Sequence, residues 1–315
     1  MLVREAKRVH VDWVADSRAW NRLEARPGDI IVCTAPKCGT TWTQRIVGML
    51  LRQSPAPFPV MLEQPWLDAR FVPLDKVLPM LAAAPGRRSL KTHLAFDAMP
   101  LHDDTLYIHV ARDPRDACMS YFNHCTHMAP EMLASFDAWG LAEPSIAAPY
   151  PRAPAEPRAF YRRWLRDPAF APFDEWTCTE YFALEQSYWA ERQRPNVLML
   201  HYNDLKADLD GEMRRIAAFI GVETPEALWP EMVEAATFAA MQRDGEALLP
   251  TAETAFRGGA KTFLHKGTNQ RWRAVLTEAD VADYEAAAAA GMSPALRAWV
   301  ENGRLVAGDP VAAPD

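Results

Sequence analysis

The order of apolar and polar positions along the chain predicts short buried strands that alternate with amphipathic helices. Apolar, partly β-branched runs typical of strands occur at residues 30–32, 89–94, 105–111 and 197–201. Apolar residues recur at helical spacing in residues 42–51, 181–192, 209–220 and 282–290. Polar residues collect just after several of the strands, which is where ligands of open α/β sheets bind.

One long stretch lacks a regular pattern. Residues 129–157 are rich in Pro and Ala, and they form a longer connection than a compact domain needs. We predict a mobile loop here, placed to cover a binding site, rather than a linker between domains. The whole chain, residues 1–315, is then expected to form a single domain.

Composition narrows the classes of function. The 315 residues are 49% hydrophobic and 24% charged, with a net charge of −7. A chain of this length can bury a sizeable core, as one large α/β domain or two small ones. The acidic balance argues against a nucleic-acid-binding surface, but it allows a local basic pocket for a small anion.

The cellular context is predicted from the N-terminus and the cysteines. Charges occur throughout residues 1–13, so we expect no signal peptide, and no apolar run approaches the roughly 18–20 residues that span a bilayer. Five cysteines without paired spacing indicate reduced thiols of a cytoplasmic protein. His124 and His127 form an HxxH pair, but without further ligands nearby we expect no metal site.

The segment 30–51 carries the first candidate chemistry. A β-branched run ends at Ala35-Pro36, the polar turn 37–41 follows, and a helical pattern begins at Trp42. A strand, a tight turn and a helix in this order direct backbone N–H groups and the helix dipole at an anion. The generic P-loop pattern is not met, because Lys37 precedes Gly39. An ordinary strand–turn–helix remains the alternative.

Polar residues at two further strand ends are candidates for the same site. Lys91 and His93 follow the second strand, and Arg112 follows the third, eight residues before Ser120. Arg112 and Ser120 could converge on one ligand, since one lies at a strand end and the other two turns into a helix. The alternatives are a structural His93 and a surface ion pair of Arg112 with Asp113 or Asp116.

The loop sequence P-K-C-G-T-T-W, residues 36–42, resembles the 5′-phosphosulfate-binding loop of the cytosolic-type sulfotransferases. These enzymes use 3′-phosphoadenosine 5′-phosphosulfate (PAPS) and release 3′-phosphoadenosine 5′-phosphate (PAP). Further segments match in the family's order, namely K-T-H-L (91–94), V-A-R-D-P-R-D-x-x-x-S-Y (110–121), Y-N-D-L-K (202–206), A-T-F-A-A-M (236–241) and F-L-H-K-G (263–267). The resemblance implies one α/β domain, with a mostly parallel sheet of about five strands and helices on both faces.

The resemblance also implies roles for individual residues. His93 would be the general base, and Lys37 and Lys91 would stabilise charge on the donor. The implied donor-binding residues are Lys37, Cys38, Gly39, Thr40, Thr41, Trp42, Arg112, Ser120, Tyr202, Phe238, His265, Lys266 and Gly267. Phe238 could instead be a core residue. No metal is required, since the cations are side chains.

Several positions depart from the family pattern. Cys38 replaces a Ser, Asn203 a Glu, His265 an Arg, Gln270 a Gly and Arg271 an Asp. Arg257 is a candidate for the missing cation. The vertebrate-type dimer motif is only partly matched around Thr277, so an oligomer is possible but not through that motif.

The acceptor pocket is predicted only by residue type. Its candidate residues have ring side chains, and they are Trp66, Phe96, Phe122 and His127. Such a lining favours a small phenolic or lipophilic alcohol over a polyanionic sugar. Trp66 could equally be a loop anchor. Two other functions stay open, a P-loop-type nucleotide kinase and a catalytically inert nucleotide-binding homologue.

Overall fold

A computed structural model describes residues 1–166 and 177–314. Four strands form a parallel sheet, and a separate antiparallel pair lies outside it. The strands are β1 (Leu2–Arg4), β2 (Ile30–Thr34), β3 (Ser89–Thr92), β4 (Leu101–His102), β5 (Leu106–Ala111) and β6 (Val197–His201). The parallel sheet has the order β3-β2-β5-β6, and β1 pairs with β4.

Helices fill most of the remaining described residues. They are α1 (Thr40–Arg52), α2 (Val60–Glu63), α3 (Leu74–Ala83), α4 (Pro114–Thr126), α5 (Pro130–Ala142), α6 (Pro157–Arg166), α7 (Cys178–Trp189), α8 (Tyr202–Ala207), α9 (Leu209–Phe219), α10 (Trp229–Ala235), α11 (Phe238–Arg243), α12 (Gly245–Leu248), α13 (Ala252–Ala255), α14 (Gly259–Phe263), α15 (Glu278–Gly291), α16 (Pro294–Asn302) and α17 (Arg304–Ala307). Short 3₁₀ turns lie at Ser17–Arg22, Phe96–Ala98, Glu226–Leu228, Arg271–Ala274 and Pro310–Ala312. None of these helices combines the length and the apolar character needed to cross a bilayer.

Each face of the parallel sheet has its own hydrophobic core. Ile30 and Val32 of β2 pack in one cluster with buried residues of α1 and α9. Ile31 and Cys33, which alternate with them, pack in the other cluster with residues of α4, α7 and α16. Alternate side chains of a strand point to opposite faces, so strands covered on both sides must be apolar throughout. The predicted α/β class with helices on both faces is confirmed.

Two expectations about regularity need correction. The parallel sheet has four strands among the described residues rather than five, because Leu2–Arg4 and Leu101–His102 pair with each other instead of extending it. The stretch 129–157 is not a loop throughout, since α5 occupies Pro130–Ala142. Pro130 stands in the first turn of α5, a position that favours proline, and the buried Phe136 of α5 packs with Trp13.

A histidine–carboxylate pair lies fully buried beneath the sheet. Nε2 of His109 is 2.8 Å from Oε2 of Glu185, its Nδ1 is 3.1 Å from the carbonyl oxygen of Cys33, and both side chains have 0% exposure. The His109 ring stacks on Tyr188, with 4.1 Å between ring centroids. The pair therefore places polar groups in an apolar core, where each depends on the other.

We expect His109→Leu to lower the free energy of unfolding by about 3–5 kcal/mol, because Glu185 then keeps a buried carboxyl group without a partner. The double variant His109→Leu, Glu185→Leu should recover most of this loss, since it removes both polar groups. Urea denaturation of the wild type, both single variants and the double variant measures the coupling. Additive effects of the two single substitutions would contradict the interdependence.

Candidate active site

The carboxyl ends of three neighbouring strands form the candidate site. Cys33 of β2 is in register with Thr92 of β3, and Thr34 of β2 is in register with Val110 of β5. The loop 35–39, His93 and Arg112 therefore leave the sheet side by side, at the edge where open α/β sheets bind ligands. The sequence separates these groups by up to 77 positions, and parallel pairing brings them together.

The turn before α1 has the geometry of an anion-binding loop. Lys37 has φ +68°, and Gly39, the N-cap residue of α1, has φ +104°. A Cβ atom on Gly39 would lie 3.1 Å from the Tyr202 ring, so the turn favours glycine both for its backbone conformation and for space. The first N–H groups of α1 receive no bond from a side chain at the N-cap, which leaves them available to an anion.

Two lysines supply positive charge at this turn. Nζ of Lys37 lies 4.4 Å from the centroid of the Phe263 ring, and Nζ of Lys91 lies 4.8 Å from that of Trp66. Burial lowers the pKa of each lysine to about 8, and the charge of Arg112 contributes for Lys37. Neither lysine forms an ion pair with a described residue. Both are therefore desolvated cations that an anionic ligand would stabilise.

His93 is held as a neutral imidazole with a defined tautomer. Its Nδ1 lies 2.8 Å from the carbonyl oxygen of Thr34, and a carbonyl can only accept a hydrogen bond, so Nδ1 carries the proton. Burial, followed by the charge of Lys91, lowers the pKa of His93 well below its usual value. Nε2 therefore keeps its lone pair, which is the form that a general base requires.

Neighbouring side chains fix the position of His93. Trp66 packs edge-on against the imidazole, with 4.6 Å between ring centroids. Nε1 of Trp66 donates to Asp68 at 2.8 Å, and Trp20 donates to the same carboxyl group at 3.0 Å. Burial raises the pKa of Asp68 to about 6. Trp66 thus contacts the candidate base as well as anchoring its loop, and Asp68 holds Trp66 in place.

Arg112 is directed at the loop rather than at an acidic partner. It donates to the carbonyl oxygens of Lys37 at 2.9 Å and Thr268 at 3.2 Å, and to Oδ1 of Asn269 at 3.1 Å. Its guanidinium lies 4.1 Å from the centroid of the Tyr202 ring, and its buried Nε has no partner among the described residues.

The alternative of a surface ion pair for Arg112 is wrong. Asp113 instead pairs with Arg115 at 2.8 Å. Asp116 accepts the backbone N–H groups of Gln270 at 2.8 Å and Arg271 at 3.1 Å. Both carboxylates thus have partners of their own, and Asp116 fastens the segment after residue 267 to α4.

Two further cations accompany Arg112. Nζ of Lys206 donates to the carbonyl oxygen of Gly267 at 2.7 Å, and Arg271 lies in the segment held by Asp116. Burial, followed by the charge of Arg112, lowers the pKa of both groups. These effects place Lys206 and Arg271 near Arg112. Arg257, the sequence candidate for the missing cation, instead donates to the Thr126 carbonyl at the end of α4.

The segment 263–270 closes on the same region. Gly267 has φ +61°, and a Cβ atom there would lie 2.7 Å from the Phe238 ring, which is half-buried against this segment. Gln270, at the family's glycine position, adopts φ +62° despite its side chain. His265 is half-buried and Lys266 is exposed. Any side chain at position 267 would therefore clash with the Phe238 ring as it stands.

Other donor-site candidates are placed as follows. Nε1 of Trp42 donates to the Ala236 carbonyl at 2.7 Å, and its ring meets Tyr202 edge-on at 5.5 Å. The hydroxyls of Thr40 and Thr34 are 2.6 Å apart. This contact joins the start of α1 to the end of β2, where the Thr34 carbonyl contacts His93. Thr41 is buried at the start of α1, and Ser120 is half-buried on α4.

The Cys38 side chain faces the core rather than the loop opening. Its Sγ lies 3.3 Å from the Tyr181 hydroxyl, which donates to the Arg112 carbonyl at 2.7 Å. Burial raises the pKa of Cys38 to about 12, so the thiol stays protonated and unreactive. Only the backbone of Cys38 is available to a ligand at the loop.

One pocket candidate is not where its residue type suggested. Phe96 is 1% exposed and packs on Tyr107 and Tyr188 at 4.9 Å, so it belongs to the core. His127 follows the last residue of α4, with Nδ1 2.8 Å from the Asn123 carbonyl oxygen. Its place in the pocket stays a prediction. Phe122 is half-buried and meets Phe160 edge-on at 5.5 Å.

Sequence reasoning missed several residues of the site. It overlooked the carbonyl of Thr34, the carboxyl of Asp68 and the ammonium of Lys206, and it left Arg271 as an unexplained departure. Asp68 stands two residues after Trp66, and that spacing was a readable signal. The backbone carbonyl of Thr34 gave none, since a strand of this length offers five equivalent carbonyls.

Comparison with known proteins identifies the family of the chain. The model of the sulfotransferase domain matches residues 27–293. A glycolipid sulfotransferase of Mycobacterium bovis is 30% identical over 312 residues, which cover 94% of this chain and 94% of that protein. Human sulfotransferase 1C2 is 24% identical over 267 residues, which cover 81% of this chain and 80% of the human protein.

Solved structures share the fold. Retinol dehydratase in complex with androsterone and the inactive cofactor PAP has a TM-score of 0.67 at 22% identity, covering 88% of this chain and 84% of that one. Mouse sulfotransferase SULT7A1 complexed with PAP has a TM-score of 0.67 at 17% identity, covering 91% and 93%. Because the domain model spans most of the sequence and a relative of 30% identity covers nearly all of it, the chain belongs to the sulfotransferase family of enzymes.

Proposed function

We propose that the protein transfers the sulfuryl group of PAPS to a hydroxyl of a small, lipophilic or phenolic acceptor. The observation that carries the proposal is the neutral His93, with Nδ1 on the Thr34 carbonyl, together with Lys37 in the loop before α1 and the buried Lys91 of β3. The PAP complexes of fold neighbours support the donor, and the name of the mycobacterial relative supports a lipophilic acceptor.

The residues present fit the anionic groups of such a donor. The backbone N–H groups that follow Gly39, together with Lys37, Lys91, Thr40 and Thr41, would hold the 5′-phosphosulfate. Arg112 and Ser120 would hold the 3′-phosphate. The buried Nε of Arg112 has no partner among the described residues, so its guanidinium can form a further hydrogen bond. Trp42, Tyr202 and Phe238 would contact adenine, and the segment His265–Gly267 would close over the nucleotide.

Within this proposal the reaction is an in-line displacement. His93 removes the acceptor's hydroxyl proton through Nε2, while the acceptor oxygen forms a bond to sulfur. The bond from sulfur to the donor's phosphate oxygen breaks, and that oxygen keeps the electron pair. Lys37 stabilises the charge on the leaving oxygen, and Lys91 with the N–H groups of α1 stabilises the sulfuryl oxygens.

A P-loop-type kinase is not favoured by any contact at this site. The two acidic residues that could have bound magnesium are engaged elsewhere. Asp113 pairs with Arg115, and Asp204 accepts the backbone N–H groups of Arg304 at 2.7 Å and Leu305 at 3.1 Å. Both carboxylates therefore serve structural contacts.

Thermal unfolding with two nucleotides tests the proposed donor. We expect PAP to raise the melting temperature and ATP with magnesium to leave it nearly unchanged. Ligand at about 100 times its Kd stabilises the folded state by about 2.7 kcal/mol, which a melting curve resolves easily. Stabilisation by ATP and magnesium alone would overturn the assignment. Arg112→Met is the control, since it should reduce the response to PAP.

The pH dependence of kcat/KM should follow the two lysines. Lys37 and Lys91 have a pKa of about 8, so they are charged below pH 8 and neutral above it. His93 stays neutral throughout, because its pKa lies well below 6.5. We expect a plateau up to about pH 7, a decline that begins before pH 8, and then a fall approaching about tenfold per unit for each required lysine. A rate that rises through pH 9 would contradict this.

A further inference from the structure

His124 is a histidine whose ring lies among aromatic side chains with an unused nitrogen. It follows Ser120 by one turn on the same face of α4. The ring centroid lies 4.7 Å from that of Phe256, 6.1 Å from Phe263 and 5.9 Å from Tyr121. Its Nδ1 is shielded from solvent and has no hydrogen-bond partner among the described residues.

The surroundings of His124 are those of the reaction centre. The Phe263 ring that it contacts also carries Nζ of Lys37 on its face, at 4.4 Å from the centroid. Burial lowers the pKa of His124 well below its usual value, and Lys37, Lys91 and His93 add to the effect in that order. The imidazole is therefore neutral, with one donor and one acceptor nitrogen, and the Phe263 ring that it contacts also contacts Lys37.

A purely structural role does not account for His124. Two buried histidines of the core, His109 and His201, have bonds at both ring nitrogens. His109 contacts Cys33 and Glu185, while His201 contacts the Val300 carbonyl at 2.9 Å and accepts from the Asn203 N–H at 3.1 Å. Phenylalanine would fill an aromatic cluster as well, without a polar atom that lacks a partner. Buried polar groups are normally hydrogen-bonded to the protein or to ordered water, so an unpartnered one calls for an explanation such as a ligand.

We propose that His124 hydrogen-bonds a second polar group of the acceptor, beside the hydroxyl that is sulfated. The proposal rests on the proposed function and narrows its acceptor class. The aromatic neighbours suit an apolar ring or chain, while the imidazole requires a neighbouring hydroxyl or equivalent group. The preferred acceptor is then a lipophilic molecule with adjacent hydroxyls, such as an alkyl glycoside or an alkylcatechol. A simple alkanol or alkylphenol leaves the imidazole without a partner.

Matched acceptor pairs test this inference. Transfer from PAPS is measured for 4-alkylcatechol against 4-alkylphenol, and for an alkyl glucoside against the alkanol of equal chain length. We expect the wild type to favour the diol member in kcat/KM, and His124→Phe to reduce that preference about tenfold. His124→Asn can place an amide near the Nδ1 position, and it should restore part of the preference.

The controls separate this inference from the proposed function. His102→Phe, on the antiparallel ribbon outside the site, should keep the wild-type preference. Calorimetry can compare the affinities of the diol and mono-hydroxyl acceptors for PAP-saturated protein, independently of turnover. A wild type without preference for the diol, or a preference unchanged in His124→Phe, overturns the inference. Failure of the wild type to bind PAP or to transfer sulfate would instead overturn the proposed function.

Discussion

His93→Asn is expected to bind PAP with nearly wild-type affinity and to lose about 10²–10⁴-fold in kcat. The asparagine amide can still donate to the Thr34 carbonyl, which His93 contacts at 2.8 Å through Nδ1. It offers no basic nitrogen in place of Nε2. The substitution therefore removes proton transfer while it keeps the contact that positions the side chain. Steady-state transfer from PAPS, with PAP affinity from calorimetry, measures the two effects separately.

His93→Ala is the matched variant, because it removes both the base and the contact with Thr34. Equal losses in the two variants indicate that the base itself matters. If His93→Asn retained most of the turnover and only His93→Ala lost it, the side chain would have a positioning role and the general-base assignment would fail. Thermal unfolding of both variants shows whether the loss of the Thr34 contact also alters stability.

Lys37→Met is expected to lower kcat by about 10²–10³-fold, as the removal of one charge-stabilising group from an active site commonly does. Methionine keeps an unbranched apolar side chain in place of the lysine stem, and it is as compatible with the backbone at φ +68° as lysine is. The change therefore removes the ammonium group with little change in packing. Transfer at saturating PAPS isolates the effect on kcat from any weaker binding.

Lys206→Met provides the comparison for Lys37→Met. Lys206 donates to the carbonyl oxygen of Gly267, next to the Thr268 carbonyl that Arg112 contacts. We expect it to raise the KM for PAPS several-fold and to leave kcat within about a factor of two. If Lys37→Met also changed only KM, Lys37 would contribute to binding alone and not to the transfer step.

The fold was predictable where local pattern and parallel pairing agree. The strand Val197–His201 has the predicted bounds, and the start of β2 at Ile30 was marked by the turn at 26–29. A continuous apolar run in a short strand identifies burial on both faces without knowledge of its neighbours. The turn before α1 was predictable for a similar reason, since its residues are consecutive in the sequence.

Residues whose role depends on distant contacts were not predictable. Phe96 was a pocket candidate by residue type, yet it packs on Tyr107 in the core. His124 could not be told from His127 by sequence, because three positions along α4 decide which imidazole meets Phe256 and Phe263. Composition hid α5, since Pro130 reads as a helix breaker unless its place in the first turn is known.

The internal hydrogen bonds of Arg112 would affect how tightly a nucleotide binds. Its guanidinium already donates to oxygens of Lys37, Thr268 and Asn269. In the proposed donor site, an arriving phosphate would compete with the protein's own carbonyl groups for one cation, and the observed affinity would be the difference between the two sets of bonds. Substitutions that weaken the internal competitor, such as Asn269→Ala, can tighten binding without adding a contact to the ligand. The same competition would favour release of the product PAP after each turnover.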